Sequence, residues 1–199
     1  MPDVAIREAT FDDQLGVLRF RLEQVCGLLE ASLLAVGDLG ATDPLLVVDE
    51  VRRDNDQVQA LCAEARRDSV ALMWHVSGAS DISLLFNIIR DTRALARMGW
   101  LVVELVETGA PVAVSCGEIL SAVQAKMLAA TTDLYVAIAD GDRDRAHDIH
   151  AHAAFDRSLL DAQRPSSAGK KHARRLVRAC ERWTGHAMAI SRRATAAAT

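Results

Sequence analysis

The chain predicts an all-α fold of two tandem three-helix bundles, and three observations carry that expectation. Leu15, Leu18, Leu22, Val25, Leu29, Ser32/Leu33 and Val36 step by threes and fours, as do Leu120, Val123, Met127, Ala130, Leu134 and Ala137. Such spacing gathers apolar side chains into one stripe of a helix, which must be buried against other helices. The same plan, a long apolar helix, an acid-rich second helix and an arginine-bearing third, occurs twice around Gly109-Ala110-Pro111, as expected of a duplicated unit. Finally, half of the residues are hydrophobic, only 4% are aromatic, and there are just 11 Gly and 4 Pro. Alanine, leucine, arginine and valine dominate the long segments, and no alternating run is bounded by hairpin turns.

The elements follow in order. A first helix is predicted over 12–36, ending at the Gly37…Gly40 pair. Asp43-Pro44 opens a second: the aspartate can cap it, and proline suits the first helical position because its missing N–H had no partner anyway. This helix extends to about Val76, with Asp49, Glu50, Arg52, Arg53, Asp54 and Asp56 on its polar face. Ser77-Gly78-Ala79-Ser80-Asp81 is a break ending in a cap, and a third helix runs from Ile82 to Glu107. After the Gly109–Pro111 linker, a fourth helix covers 116–139, a fifth 143–163 and a sixth 170–194, the last two separated by Arg164-Pro-Ser-Ser-Ala-Gly169. Three antiparallel helices joined by short loops form one bundle, giving units over 12–108 and 115–195.

Charge and motifs narrow the function classes. From Arg164 onward nine Lys/Arg stand against Glu181 alone, a net of +8; the preceding residues hold 14 Lys/Arg and 26 Asp/Glu, a net of −12. Such a split suits a charged partner surface. Arg174, Arg175 and Arg178 are the candidate contacts for an acidic partner, and rim charges of this kind chiefly set association rate and salt sensitivity. The run Lys170-Lys171-His172-Ala173-Arg174-Arg175 lacks interleaved aromatics, so no nucleic acid is expected, a DNA-associated role being a lesser alternative. No apolar stretch reaches the roughly 18 residues a spanning helix needs, so no membrane insertion is expected. The start of the sequence has acids and no apolar signal core, and Cys26, Cys62, Cys116 and Cys180 form no CxxC pair and sit in apolar helical contexts. Buried reduced thiols and a cytoplasmic location are the expectation.

No nucleophile elbow, Cys/His pair or phosphate-cradling glycine loop is present, so an enzyme is not expected. Asp144, His147 and Asp148 form the most ligand-like group, three residues that can share one helix face, with His150 and His152 near by. A di-iron bundle needs two E-x-x-H motifs and further carboxylates; one D-x-x-H is all the sequence offers, so a solvated polar face is favoured over a metal-binding bundle. His75 and His186 read as hydrogen-bonded core or boundary imidazoles, and Trp100 and Trp183 as core anchors with a partner-facing patch as the alternative.

Three stretches resemble the PhoU family of phosphate-uptake regulators, and the resemblance covers most of the chain. They are FDDQLGVLRFRLEQVCGLLEASLLAV followed by VVDEVRRDNDQVQAL, then SDISLLFNIIRDTRALARMG, then CERWTGHA. The resemblance implies a cytoplasmic, homodimeric adaptor that restrains phosphate import and phosphate-starvation signalling, with the phosphate transporter's ATPase subunit and a sensor histidine kinase as partners. It also implies a metal motif, E/D-x-x-x-D, on the third helix of each unit, two carboxylates one turn apart that suit hard or borderline cations. Here the first copy reads Ala96-Arg97-Met98-Gly99-Trp100 and the second Glu181-Arg182-Trp183-Thr184-Gly185. Only Glu181 is retained, and Ser83 stands where the family has arginine. No cofactor is therefore expected, and a divalent or iron centre is disfavoured.

Overall fold

The computed structural model describes residues 2–140 and 167–197 as five long helices with no strand among them. These are α1 (Pro2–Gly37), α2 (Pro44–Met73), α3 (Ala79–Gly109), α4 (Ala113–Asp140) and α5 (Ser167–Ala197). The predicted fifth helix, with Asp144, His147, Asp148, His150 and His152, lies outside the described residues.

Several boundaries differ from the sequence expectation for identifiable reasons. α1 begins at Pro2 rather than at residue 12, since PDVAIREAT holds no glycine and places its proline at the first helical position. It ends in a 3-10 turn, Asp38–Gly40, where the Ala41 and Thr42 N–H groups both donate to the Asp38 carbonyl at 2.9 Å. Asp43 caps α2 as read, its carboxylate accepting from Leu45 N at 3.0 Å. The helix stops at Met73, short of Val76, so His75 is exposed rather than a core or boundary imidazole. α3 starts at Ala79, ahead of Ile82, with Gly78 and not Asp81 at the cap position. Asp81 sits inside the first turn, where a negative charge favours the unpaired N–H groups of the helix start. The Gly109–Pro111 linker is a single 3-10 turn, Ala110–Val112, and α4 resumes at Ala113 instead of Cys116. α5 likewise begins at Ser167, so Ser167–Gly169 are helical.

The apolar stripes do what their spacing predicts. Leu15, Leu18, Leu22, Val25, Leu29, Leu33 and Val36 are all buried on α1, and Leu120, Val123, Met127, Ala130 and Leu134 on α4. They join Leu85, Leu95, Met98, Val102 and Leu105 of α3 and Leu176, Trp183 and Ile190 of α5 in one continuous core. Each fully buried large aliphatic side chain contributes about 1.5–3 kcal/mol of transfer free energy. α1 packs on α2, α3 and α4, while α3 packs on α1, α2 and α5, and α4 packs on α5. Several buried hydroxyls are satisfied within their own helices: Ser69 donates to the Ala65 carbonyl and Thr131 to that of Met127, both at 2.7 Å. Among the described residues the indole N–H of Trp183 is fully enclosed and without an acceptor. Cys26, Cys62 and Cys180 are buried free thiols. Burial pushes the Cys26 thiol far above its ordinary range, Cys62 up to about 12 and Cys180 up to about 11.

Polar contacts set the registers between helices. Arg21 of α1 pairs with Asp68 of α2, and Ser32 Oγ donates to Asp54 Oδ2 at 3.0 Å. Gln124 of α4 donates to the Leu33 carbonyl at 3.1 Å, and Gln59 of α2 to the Ala96 carbonyl at 2.8 Å. Gln59 also donates to Asn55 Oδ1 at 3.1 Å, so the buried Asn55 is held where α2 meets α3. Gly99 makes room for it: a Cβ there would lie 2.6 Å from Asn55 Oδ1 and 3.1 Å from Val58 Cγ1. Because Asn55 is buried and bonded, it cannot swing aside. Gly99→Ala is therefore expected to destabilise by about 1–3 kcal/mol, the usual cost of overpacking. The check is a denaturant titration of Gly99→Ala in the wild-type and Asn55→Ala backgrounds. Part of the loss should be recovered in the second background, and equal losses in both would remove Asn55 as the obstacle.

Candidate functional site

The residues singled out by the motif comparison lie where α3 and α5 run side by side. Two ion pairs fix that seam: Arg193 Nε to Asp91 Oδ1 at 2.6 Å, and Arg182 to Glu104. As the α3 partner advances from Asp91 to Glu104 the α5 partner retreats from Arg193 to Arg182, so the helices are antiparallel. This register sets Trp100 level with Gly185.

The donor set at the motif positions does not fit a metal cluster. Ala96 and Gly185 are half-buried and have no ligating side-chain atom, and Trp100 offers none with a usable lone pair. Glu181 is exposed and stands as the one carboxylate of the four positions. The acids of α3 nearest the seam are paired: Asp91 and Glu104 with arginines of α5, and Glu107 with Arg52 of α2 at 2.7 Å. Among the described residues no group of three or more His, Cys, Asp or Glu converges as a cation site.

Trp100 is exposed at 57%, in contrast to the core anchor its sequence suggested, whereas Trp183 is buried as expected. The two are not equivalent in helical phase. Trp183 corresponds to Met98, which is equally buried, and Trp100 corresponds to Gly185, on the outward side of each helix. Arg174, Arg175 and Arg178 are all exposed, on the first half of α5. They sit on the same helix as Glu181 but up to two turns away.

The pair Asp91–Arg193 has no counterpart in the sequence expectation. Asp91 occupies an inward position between Ile88 and Leu95, and a charge placed inside an apolar 3/4 stripe is the signal that could have exposed it, since such a group must be paired. Burial pushes the Asp91 carboxyl up to about 6, against the opposing pull of Arg193 and Arg90. On α5, His186 is half-buried and its pKa is lowered, first by desolvation and then by Arg97, Arg182 and Arg193. Cations of both helices therefore crowd one region.

No family model matches the chain, and no curated protein is significantly similar to it in sequence. Its structure is nevertheless similar to the crystal structure of PhoU from Pseudomonas aeruginosa, with a TM-score of 0.79 over 94% of this chain and 98% of that one, at 17% identity.

The Asp91 environment generates a pH signature. A carboxyl whose pKa is higher folded than unfolded adds stability below its unfolded value near 3.8, and that contribution is lost as pH rises through about 6. The melting temperature of the wild type relative to Asp91→Asn should thus fall between about pH 4 and pH 6. Thermal melts across that range, at fixed ionic strength, check it; a flat difference would mean that Asp91 titrates normally. The helical bundle has the fold of that PhoU structure.

Proposed function

We propose that this chain is a regulatory adaptor of the PhoU type, one that restrains phosphate uptake and phosphate-starvation signalling. Its partners in this reading are the phosphate transporter's ATPase subunit and a sensor histidine kinase, and it works in the cytoplasm as a homodimer. The observation that carries the reading is the shared fold over nearly the whole of both chains, despite 17% identity. Two further features support it. No described helix is long and apolar enough to cross a membrane, and the exposed Arg174, Arg175 and Arg178 offer an acidic partner a solvent-facing row of charge. Among the described residues no hydroxyl or thiol is hydrogen-bonded to a histidine as a nucleophile is to its base, which favours recognition over catalysis.

The adaptor acts without a metal cluster in this proposal, because three of the four positions that would hold one are Ala96, Trp100 and Gly185. Elemental analysis of protein purified without chelator should find less than about one iron, zinc or manganese per chain. Stoichiometric metal that disappears in Glu181→Ala would place a centre on α5, and metal that survives the change would direct attention to Asp144, His147 and Asp148.

Deletion of the gene tests the regulatory role itself. Phosphate-scavenging genes should be expressed in phosphate-rich medium in the deletion strain, as expected when a brake on the kinase is removed. Unchanged phosphate-responsive transcription and uptake, in a strain without a second copy, would refute the role.

A further inference from the structure

Arg-x-x-Arg-Ala-x-x-Arg occurs twice in this chain, as Arg90, Arg93, Ala94, Arg97 and, 85 residues later, as Arg175, Arg178, Ala179, Arg182. Both alanines are buried and all six arginines are exposed. Spacing of three then four residues keeps each triad on one helix face. On α3 the same outward stripe continues through Phe86 before the triad and Trp100 after it, exposed at 52% and 57%. It then reaches Glu104 and Glu107.

The ion pair between Arg182 and Glu104 joins the α5 stripe to the α3 stripe across the seam, so both face the same side of the molecule. Because the helices are antiparallel and Trp100 is level with Gly185, the triads extend in opposite directions from that point. Each reaches ten residues from it, so together they line about 30 Å of the seam. Among the described residues no salt bridge engages Arg90, Arg93, Arg97, Arg175 or Arg178. Position for position, the residue that would pair with Arg97 as Glu104 pairs with Arg182 is Ala189.

We propose that the α3/α5 seam is a docking surface for an acidic helical segment of a partner protein, with Trp100 as its central anchor. This rests on the adaptor reading and extends it from the α5 arginines to a two-helix surface. Charge complementarity sets the chemistry of the occupant: carboxylates spaced every third or fourth residue along one face of a helix match the arginine spacing. An exposed tryptophan between arginines is the composition of an interface centre, where these residue types concentrate binding energy. Nucleic acid fits less well, since one tryptophan at the midpoint gives no succession of stacking platforms. The residues before Arg164, at a net of −12, also repel a polyanion.

The test uses the full chain and a fluorescent, alanine-based helical peptide about 20 residues long, with glutamates at that spacing and one central leucine. Anisotropy titrations should show saturable binding that a composition-matched, scrambled peptide lacks. Charge reversal of Arg90, Arg93 and Arg97 should weaken it about tenfold or more, as should Arg175→Glu with Arg178→Glu, and Trp100→Ala should also cost about tenfold. Unchanged melting temperatures would keep these losses local to the surface. Equal affinity for both peptides, or binding indifferent to the α3 reversal, would overturn the proposal. So would tighter binding of a single-stranded oligonucleotide at the same salt, or conversion of a native oligomer to monomers by the α3 reversal, since the surface would then belong to nucleic acid or to a second copy. None of these readings depends on the phosphate response of the deletion strain, so the surface and the regulatory role can fail separately.

Discussion

α3 must satisfy three neighbours at once, and the rest of the molecule is arranged around how it does so. Its inward side carries Leu85, Leu95, Met98, Val102, Leu105 and Val106 into the common core. The close approach of α2 depends on Gly99, and the attachment of α5 on Asp91 and Glu104. Only a narrow outward strip remains. Packing at interior density leaves little freedom to change the buried sides, so on α3 that strip is where side chains are least constrained by packing.

The aliphatic stripes were legible in the sequence because burial and helical period act on every turn. Leu15 to Val36 and Leu120 to Leu134 could be placed on inward faces before any contact was known. What could not be read this way were departures of a single residue from the pattern. Asp91 sits inward because Arg193, about one hundred residues away in sequence, neutralises it, and no local window contains both. Trp100 was misplaced for a simpler reason. Two tryptophans at similar distances from the ends of similar helices suggested equal roles, but a shift of two residues is about 200° of helical rotation, which turns one ring inward and the other out. His75 depended on where α2 stopped, and helix ends vary by a residue or two even between assignments.

The candidate surface was half visible. The arginines of α5 stood out because the chain after Arg164 is so basic, whereas those of α3 were diluted by acids before and after them. Antiparallel packing brings the two sets onto one face. Ala96, Trp100 and Gly185 carry no carboxylate, and Arg97, Arg182 and Arg193 lie close by in sequence. Inward packing and outward charge occupy different sides of each helix, so the core places no constraint on the sign of the charge along this strip.

Among the described residues Cys26, Cys62 and Cys180 are enclosed, and they give the protein built-in reporters of its own opening. Only the thiolate reacts with alkylating reagents, and burial suppresses that form on α1, α2 and α5 alike. Modification of Cys26, Cys62 or Cys180 must therefore wait until its helix separates from the others. The rate at each site measures the free energy of that separation. Peptide mapping of alkylated protein would show whether α5 detaches from α3 and α4 independently of the α1–α2 pair, or whether the single continuous core makes all three thiols reactive together.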